Sequence, residues 1–170
     1  MAAGATYESI ATTTLSSTAQ NYTFSSIPQT YTDLRLIVTG ANSVGSGNDV
    51  TSLRFNGVTS TLYSYSQLIG NGTIADVGNG TTSQFIALGR LGISPNIGHI
   101  IIDVLNYTNT STNKSLLCRW NVPATYVGVT VGLYRNTSAI TSITIDANQF
   151  AGTTTFLAGT SFTLYGIKAA

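Results

Sequence analysis

Apolar and polar side chains alternate with a period of two along most of this chain, and Gly, Asn, Ser or Pro break the alternation at short intervals. A period of two sends successive side chains to opposite faces of a pleated strand, whereas a half-buried helix repeats at about 3.6. The chain is therefore expected to be all-β, with helix close to absent. Leu34, Leu36 and Val38 share one face, with Asp33 and Arg35 on the other; Leu53 and Phe55 point opposite to Arg54 and Asn56. Leu116, Cys118, Trp120 and Val122 oppose Ser115, Arg119 and Asn121, and Val127, Val129, Val131 and Leu133 oppose Tyr126, Gly128, Thr130 and Gly132. In each strand the more apolar set is assigned to the core.

Nine or ten strands are expected, among them Tyr7–Leu15, Tyr22–Ser26, Gln84–Leu91, Ile140–Ala147 and Ser161–Ile167. Pro28, lacking a ladder donor, closes the second. Asn56-Gly57, Asn71-Gly72 and Asn79-Gly80 supply the positive-φ residues of tight reversals, and Asn106–Asn113 reads as the polar tip of a hairpin. Many short strands with no helix between them predict an antiparallel β-sandwich, jelly-roll-like, with a closed barrel as the alternative. No fixed-period repeat supports a propeller or solenoid. Residues 1–170 are expected to form one domain, with 1–6 as an extended N-terminal arm.

The composition suits strands: 42 % of the residues are hydrophobic, only 8 % are charged, and Thr, Ser, Asn and Gly make up roughly 45 %. Solubility rests on hydroxyls and amides. A net charge of +1 and the absence of any Lys/Arg run leave no electrostatic footprint for nucleic acid or for an anionic membrane surface. The single cysteine, Cys118, excludes an intramolecular disulfide and a cysteine-based zinc site. Met1–Glu8 lacks the charged and apolar regions of a signal peptide, and the longest apolar run, Ile100–Ile102, falls far short of the roughly 20 residues that span a bilayer. Seven Asn-x-Ser/Thr sequons, at Asn21, Asn71, Asn79, Asn106, Asn109, Asn113 and Asn136, are read as incidental to this composition.

No residue pattern announces chemistry. His99, the sole imidazole, shares a strand face with Asp103, but at about 3.3 Å per residue their Cα atoms stand roughly 13 Å apart, too far for a direct contact. It is read as a strand-start residue on the less buried face. The acids Glu8, Asp33, Asp49, Asp76, Asp103 and Asp146 are dispersed, and Arg35, Arg54, Arg90, Arg119 and Arg135 at outward positions suggest cross-strand or subunit-interface ion pairs. Gly45-Ser46-Gly47 is a loop tripeptide and Gly47-Asn48-Asp49 too little for a calcium loop. Cys118 and Trp120 are assigned to the core. Tyr63 with Tyr65, and Tyr126 with Tyr134, are read as outer-face tyrosines suited to subunit packing before carbohydrate stacking. No catalytic, cofactor-binding or metal-binding residue is assigned, no cofactor is expected, and the chain is not expected to be an enzyme.

Several segments carry a resemblance: Tyr31-Thr32-Asp33-Leu34-Arg35-Leu36, Leu53-Arg54-Phe55-Asn56-Gly57, Tyr63-Ser64-Tyr65, Thr137–Ile145 and the terminal Phe162-Thr163-Leu164-Tyr165-Gly166-Ile167-Lys168. Together, from about residue 30 onward, they resemble small virion structural proteins of tailed bacteriophages, head decoration (cement) or tail-associated proteins that end in a similar Phe-x-Leu-Tyr-Gly-Ile-Lys strand. The resemblance implies a non-catalytic β-sandwich of the virus particle, on the outer surface of the head, made in the host cytoplasm. Its implied partners are the major capsid protein and further copies of itself, a trimer being favoured. A tail fibre or receptor-binding module facing a host-surface glycan is the alternative, and a lectin-like carbohydrate-binding module the second. An exposed Trp120 ringed by tyrosines would favour the lectin; a core Trp120 beneath flat apolar outer surfaces would favour assembly.

Overall fold

The structure, a computed structural model, describes residues 6–43, 50–148 and 153–168. Those residues contain thirteen strands and no helix: β1 (Tyr7–Thr14), β2 (Asn21–Phe24), β3 (Asp33–Asn42), β4 (Thr51–Phe55), β5 (Tyr63–Gly70), β6 (Ala75–Ser83), β7 (Ile86–Gly89), β8 (Gly92–Ile93), β9 (Gly98–Leu105), β10 (Lys114–Val122), β11 (Tyr126–Tyr134), β12 (Ile143–Asp146) and β13 (Ser161–Ile167). The large sheet runs β1-β13-β3-β9-β10-β11-β5-β6, with β8 pairing against β3; the small sheet runs β2-β12-β4-β7. Every pairing is antiparallel except the two-residue contact of β8 with β3. From β1 to β5 the chain changes sheet at each connection, the jelly-roll-like part of its path, and β9–β10–β11 then form a meander. Apart from Thr6, the expected arm lies outside the described residues, as do Gly45-Ser46-Gly47 and Asp49.

Alternation sets most of the core. Leu34, Leu36 and Val38 of β3, Ile100, Ile102 and Val104 of β9, Leu53 and Phe55 of β4, and Phe162 and Leu164 of β13 are all buried in one cluster between the sheets. Each such side chain stabilises the fold by about 1.5–3 kcal/mol relative to an exposed one. Tyr63 stacks on Tyr134 at 4.8 Å between ring centroids, and its hydroxyl donates to Phe55 O and Val58 O and accepts from Phe55 N. Tyr107, from the β9–β10 loop, is also buried and donates to Pro28 O.

Two of the three Asn-Gly pairs are reversals. Asn56 and Gly57 both adopt positive φ (52° and 66°), and Gly72 (86°) lies in the β5–β6 hairpin. Asn79-Gly80 is not a turn. It lies inside β6 beside a bulge, opposite Ser66 and Tyr65. A Cβ on Gly80 would stand 2.6 Å from the Tyr65 ring, so the glycine serves a close approach. β6 itself, with few branched or aromatic residues, carries no strand pattern and is held as an edge by its ladder with β5.

β11 runs in the phase opposite to the one its valines suggest. Tyr126, Gly128, Thr130, Gly132 and Tyr134 face the core side, while Val127, Val129, Val131 and Leu133 face outward. The cause is the bulk of what lies beneath. Gly128 is paired with Trp120, and a Cβ there would stand 2.4 Å from the indole; a Cβ on Gly132 would stand 2.8 Å from Ile86. Gly89 of β7 also approaches Trp120 closely, with φ of 151° and its own Cβ position 2.3 Å from the ring. The inward Thr130 is satisfied by donating to Leu88 O (2.7 Å) and accepting from Gln67 Nε2 (3.0 Å). The tyrosines move with the phase: Tyr63 and Tyr134 are fully buried and Tyr65 and Tyr126 pack against the core, so the outer face is valine-rich where a tyrosine-bearing one was expected.

Candidate interaction surface

The outer face of the large sheet divides into two chemically different halves. Over β1, β13, β3, β9 and β10 it carries ion pairs and polar groups among scattered apolar side chains such as Leu105 and Leu117. Arg35 donates from Nε to Asp103 Oδ1 (2.6 Å) and from Nη2 to Oδ2 (3.0 Å), Arg119 reaches Oδ2 at 3.5 Å, and Arg35 also donates to the Tyr7 hydroxyl. The bond to Asp103 holds the Arg35 guanidinium above its ordinary pKa. Nearby, the Thr12 hydroxyl donates to that of Thr163, and Thr39 bonds His99 Nδ1 at 3.1 Å.

Over β11, β5 and β6 the face carries no charge. Val129, Leu68 and Val77 line up across the three strands, and Val127, Val131 and Leu133 extend the row along β11. Val77 is 71 % exposed, Leu68 65 %, Val127 61 % and Val131 56 %. The one charged residue of these strands, Asp76, alternates to the other face and accepts from Val77 N. With Leu117 on the neighbouring strand, these apolar side chains expose on the order of 600 Å², at the upper end for the largest patch of a monomer. The face has relief. The β11 side chains form a ridge about 20 Å long. Beside it lie two hollows: one of about 430 Å³ against Leu68, Gly70, Ala75, Val77, Val127 and Val129, bordered also by Asp76 and Trp120, the other of about 410 Å³ against Ser64, Ser66, Asn79, Thr81, Val131 and Leu133.

Among the described residues, those singled out from sequence are dispersed, and none assembles into a reactive cluster. His99 is exposed on β9 while Ile100, Ile102 and Val104 are buried, as the alternation predicts. Each described carboxylate is engaged: Glu8 with Lys168 and Tyr31, Asp33 with Asn106 N, Asp76 with Val77 N, Asp103 with Arg35, and Asp146 with Arg54 at 2.6 Å. Burial pushes the Asp146 carboxyl up despite Arg54, whereas the Lys168 and Tyr31 hydrogen bonds hold Glu8 down. Of the five arginines, Arg90 instead lies over the Tyr126 ring and Arg135 donates to Thr61 O and Tyr63 O. Cys118 is buried, with Sγ 3.6 Å from Leu88 O, and desolvation raises its thiol pKa. Trp120 is 4 % exposed. Among the described residues no three His, Cys, Asp or Glu side chains gather as a metal site, and no helix is long and apolar enough to cross a membrane. The sequence signal for the outward ridge was the run of valines and leucine spaced by two; its direction was set by the intervening glycines.

No protein-family model matches the chain, and no curated protein sequence matches it. Among solved structures, a mutant of alginate lyase Aly36B in complex with alginate tetrasaccharide aligns over 82 % of this chain and 72 % of its own, with 9 % identity and a TM-score of 0.28. The PL-14 alginate lyase from Aplysia kurodai aligns over 85 % and 72 %, with 7 % identity and a TM-score of 0.31. Scytalido-glutamic peptidase aligns over 86 % and 74 %, with 11 % identity and a TM-score of 0.30. Overlaps this loose carry nothing over to the activity of this chain. What the molecule presents is an antiparallel β-sandwich whose outer face is, over three strands, uncharged and apolar.

Proposed function

We propose that this chain is a structural protein of a bacteriophage virion, a decoration protein that binds the outer shell of the head, built of major capsid protein, and stabilises it. The carrying observation is the uncharged apolar half of the large sheet, which suits cover by other protein, combined with a Trp120 that lies in the core and leaves no exposed indole for sugar stacking. The terminal segment that carries the resemblance to phage virion proteins forms the strand β13. Phe162 and Leu164 enter the core, Gly166 lies against the Tyr31 ring, and Lys168 pairs with Glu8 across the sheet edge. A protein that binds only the assembled shell stabilises it by mass action, by about 2.7 kcal/mol per site at a free concentration a hundred times Kd. Cryo-electron microscopy of purified particles tests the assignment. Many copies regularly placed on the head are expected; a few copies at the tail, or none on the particle, would overturn it.

A further inference from the structure

We infer that the partner covering the β11–β5–β6 face is a second copy of this chain, paired about a two-fold axis that runs along the strands between β11 and β5, in place of the trimer that the phage resemblance implies. This deepens the assembly reading by naming the occupant, and rests on it only in taking the face to be covered. Three observations select a self-pairing. The face bears no charge, so apposing it to its own copy brings no like charges together. The apolar patch together with its exposed margin of Ser66, Ala75, Asn79 and Thr81 offers roughly 800 Å² per copy, what a stable interface of standard size requires. Its relief is largely self-complementary: Gly70, Ser66 and Ser64 of β5 stand level with the projecting Val127, Val131 and Leu133 of β11, and only Leu68 stands level with a projecting residue, Val129.

A two-fold axis between the two strands sets β11 of each copy over β5 of the other, with Val127 over Gly70, Leu133 over Ser64 and Val129 against Leu68, the reciprocal contact that an isologous dimer demands. Rotation about an axis along the strands keeps each residue at its own height. Val131, level with Ser66 in the β11–β5 ladder, therefore meets Ser66 of the second copy. The open β6 edge, which has no Lys or Pro to block further pairing, is brought beneath the partner's sheet in the same movement.

Sedimentation equilibrium of the purified chain, with Val131→Lys and, as control, Thr14→Lys on the outer face of β1, tests the pairing. A wild-type dimer at micromolar concentration is expected. Val131→Lys should raise its Kd by at least about a hundredfold, since each dimer would bury the unpaired charge twice. Thr14→Lys should leave Kd unchanged, and urea midpoints of both variants measured as monomers should match wild type. An equimolar mixture of the single variants Ser66→Cys and Val131→Cys should form a disulfide-linked dimer under mild oxidation, with buried Cys118 left reduced. The two cysteines are placed on different chains because Ser66 and Val131 are cross-strand partners within one chain and would otherwise close an internal disulfide. A wild-type monomer, a closed oligomer larger than a dimer, a dimer indifferent to Val131→Lys, or no cross-link would each overturn the two-fold pairing. A monomer that still occupies phage heads would sink this inference and leave decoration standing, whereas a dimer absent from particles would do the reverse.

Discussion

Replacing Gly128 with alanine tests the phase of β11, on which the outer face depends. The added Cβ would stand 2.4 Å from the Trp120 ring, where ordinary contacts are about 3.5–4 Å, so the strand or the indole must give by more than 1 Å. Gly89 of β7 also approaches the indole so closely that a Cβ there would stand 2.3 Å from it, which limits how far the ring can shift away from β11. Overpacking of this kind costs about 1–3 kcal/mol. Alanine recovers about 0.5–1 kcal/mol of backbone entropy in a strand. The net expectation is a loss of about 1–2 kcal/mol. Val131→Ser, at an outward position, should cost no more than about 1 kcal/mol, the span of strand propensity. With the valines inward both results would invert: Gly128→Ala would stabilise, and Val131→Ser would cost about 3 kcal/mol through a lost methyl contact and a buried hydroxyl. Urea unfolding at a protein concentration low enough to keep the chain monomeric reads both. A Gly128→Ala protein as stable as wild type, beside a crippled Val131→Ser, would refute the packing argument.

Two further outcomes follow from the buried and half-buried polar groups. Asp103→Asn removes the charge held by Arg35 and Arg119 and should lower stability by about 1–2 kcal/mol in urea melts; an unchanged midpoint would mean that solvent already screens the pair. Burial pushes the Tyr63 phenol from 10.0 up to about 12, so the folded chain holds a proton that the unfolded chain releases near 10, and stability present below pH 10 is lost as pH rises through about 12. Tyrosinate absorbance should then develop in step with unfolding for this residue, and smooth titration of every tyrosine in a chain that stays folded would contradict its burial.

How much of this was legible in the sequence depends on whether a strand's two faces differ in bulk as well as polarity. In β3, Leu34, Leu36 and Val38 face Asp33 and Arg35, and period and phase are read together; β4, β9 and β10 are the same. In β11 the alternatives are valines against glycines, threonine and tyrosines, and neither set carries a charge to mark the solvent side. Only the partner strands decide. Trp120 and Leu116 across the β10–β11 ladder fill the space beneath Gly128 and Gly132, long-range information absent from any window along the chain. Asn79-Gly80 failed as a turn for a related reason: its glycine answers to the Tyr65 ring and not to a reversal.

The low charge of the chain is likewise not spread evenly. Arg35, Asp103 and Arg119 cluster on one half of the large sheet, Arg54 and Asp146 bind each other on the small sheet, and Lys168 and Glu8 close the β1–β13 edge. Arg90, Arg135, Lys114, Asp33 and Asp76 are engaged by a ring or by backbone groups, and no charged side chain faces outward from β11, β5 and β6. In a monomer, an uncharged apolar face that ends in an open strand edge invites uncontrolled association. Glycines at 128 and 132 hold that face outward by making room for Trp120 and Ile86, so one packing solution fixes the core and exposes the ridge. Core and outer face are therefore coupled through β11. A substitution that lets Trp120 shift should alter self-association even though it touches no outward side chain.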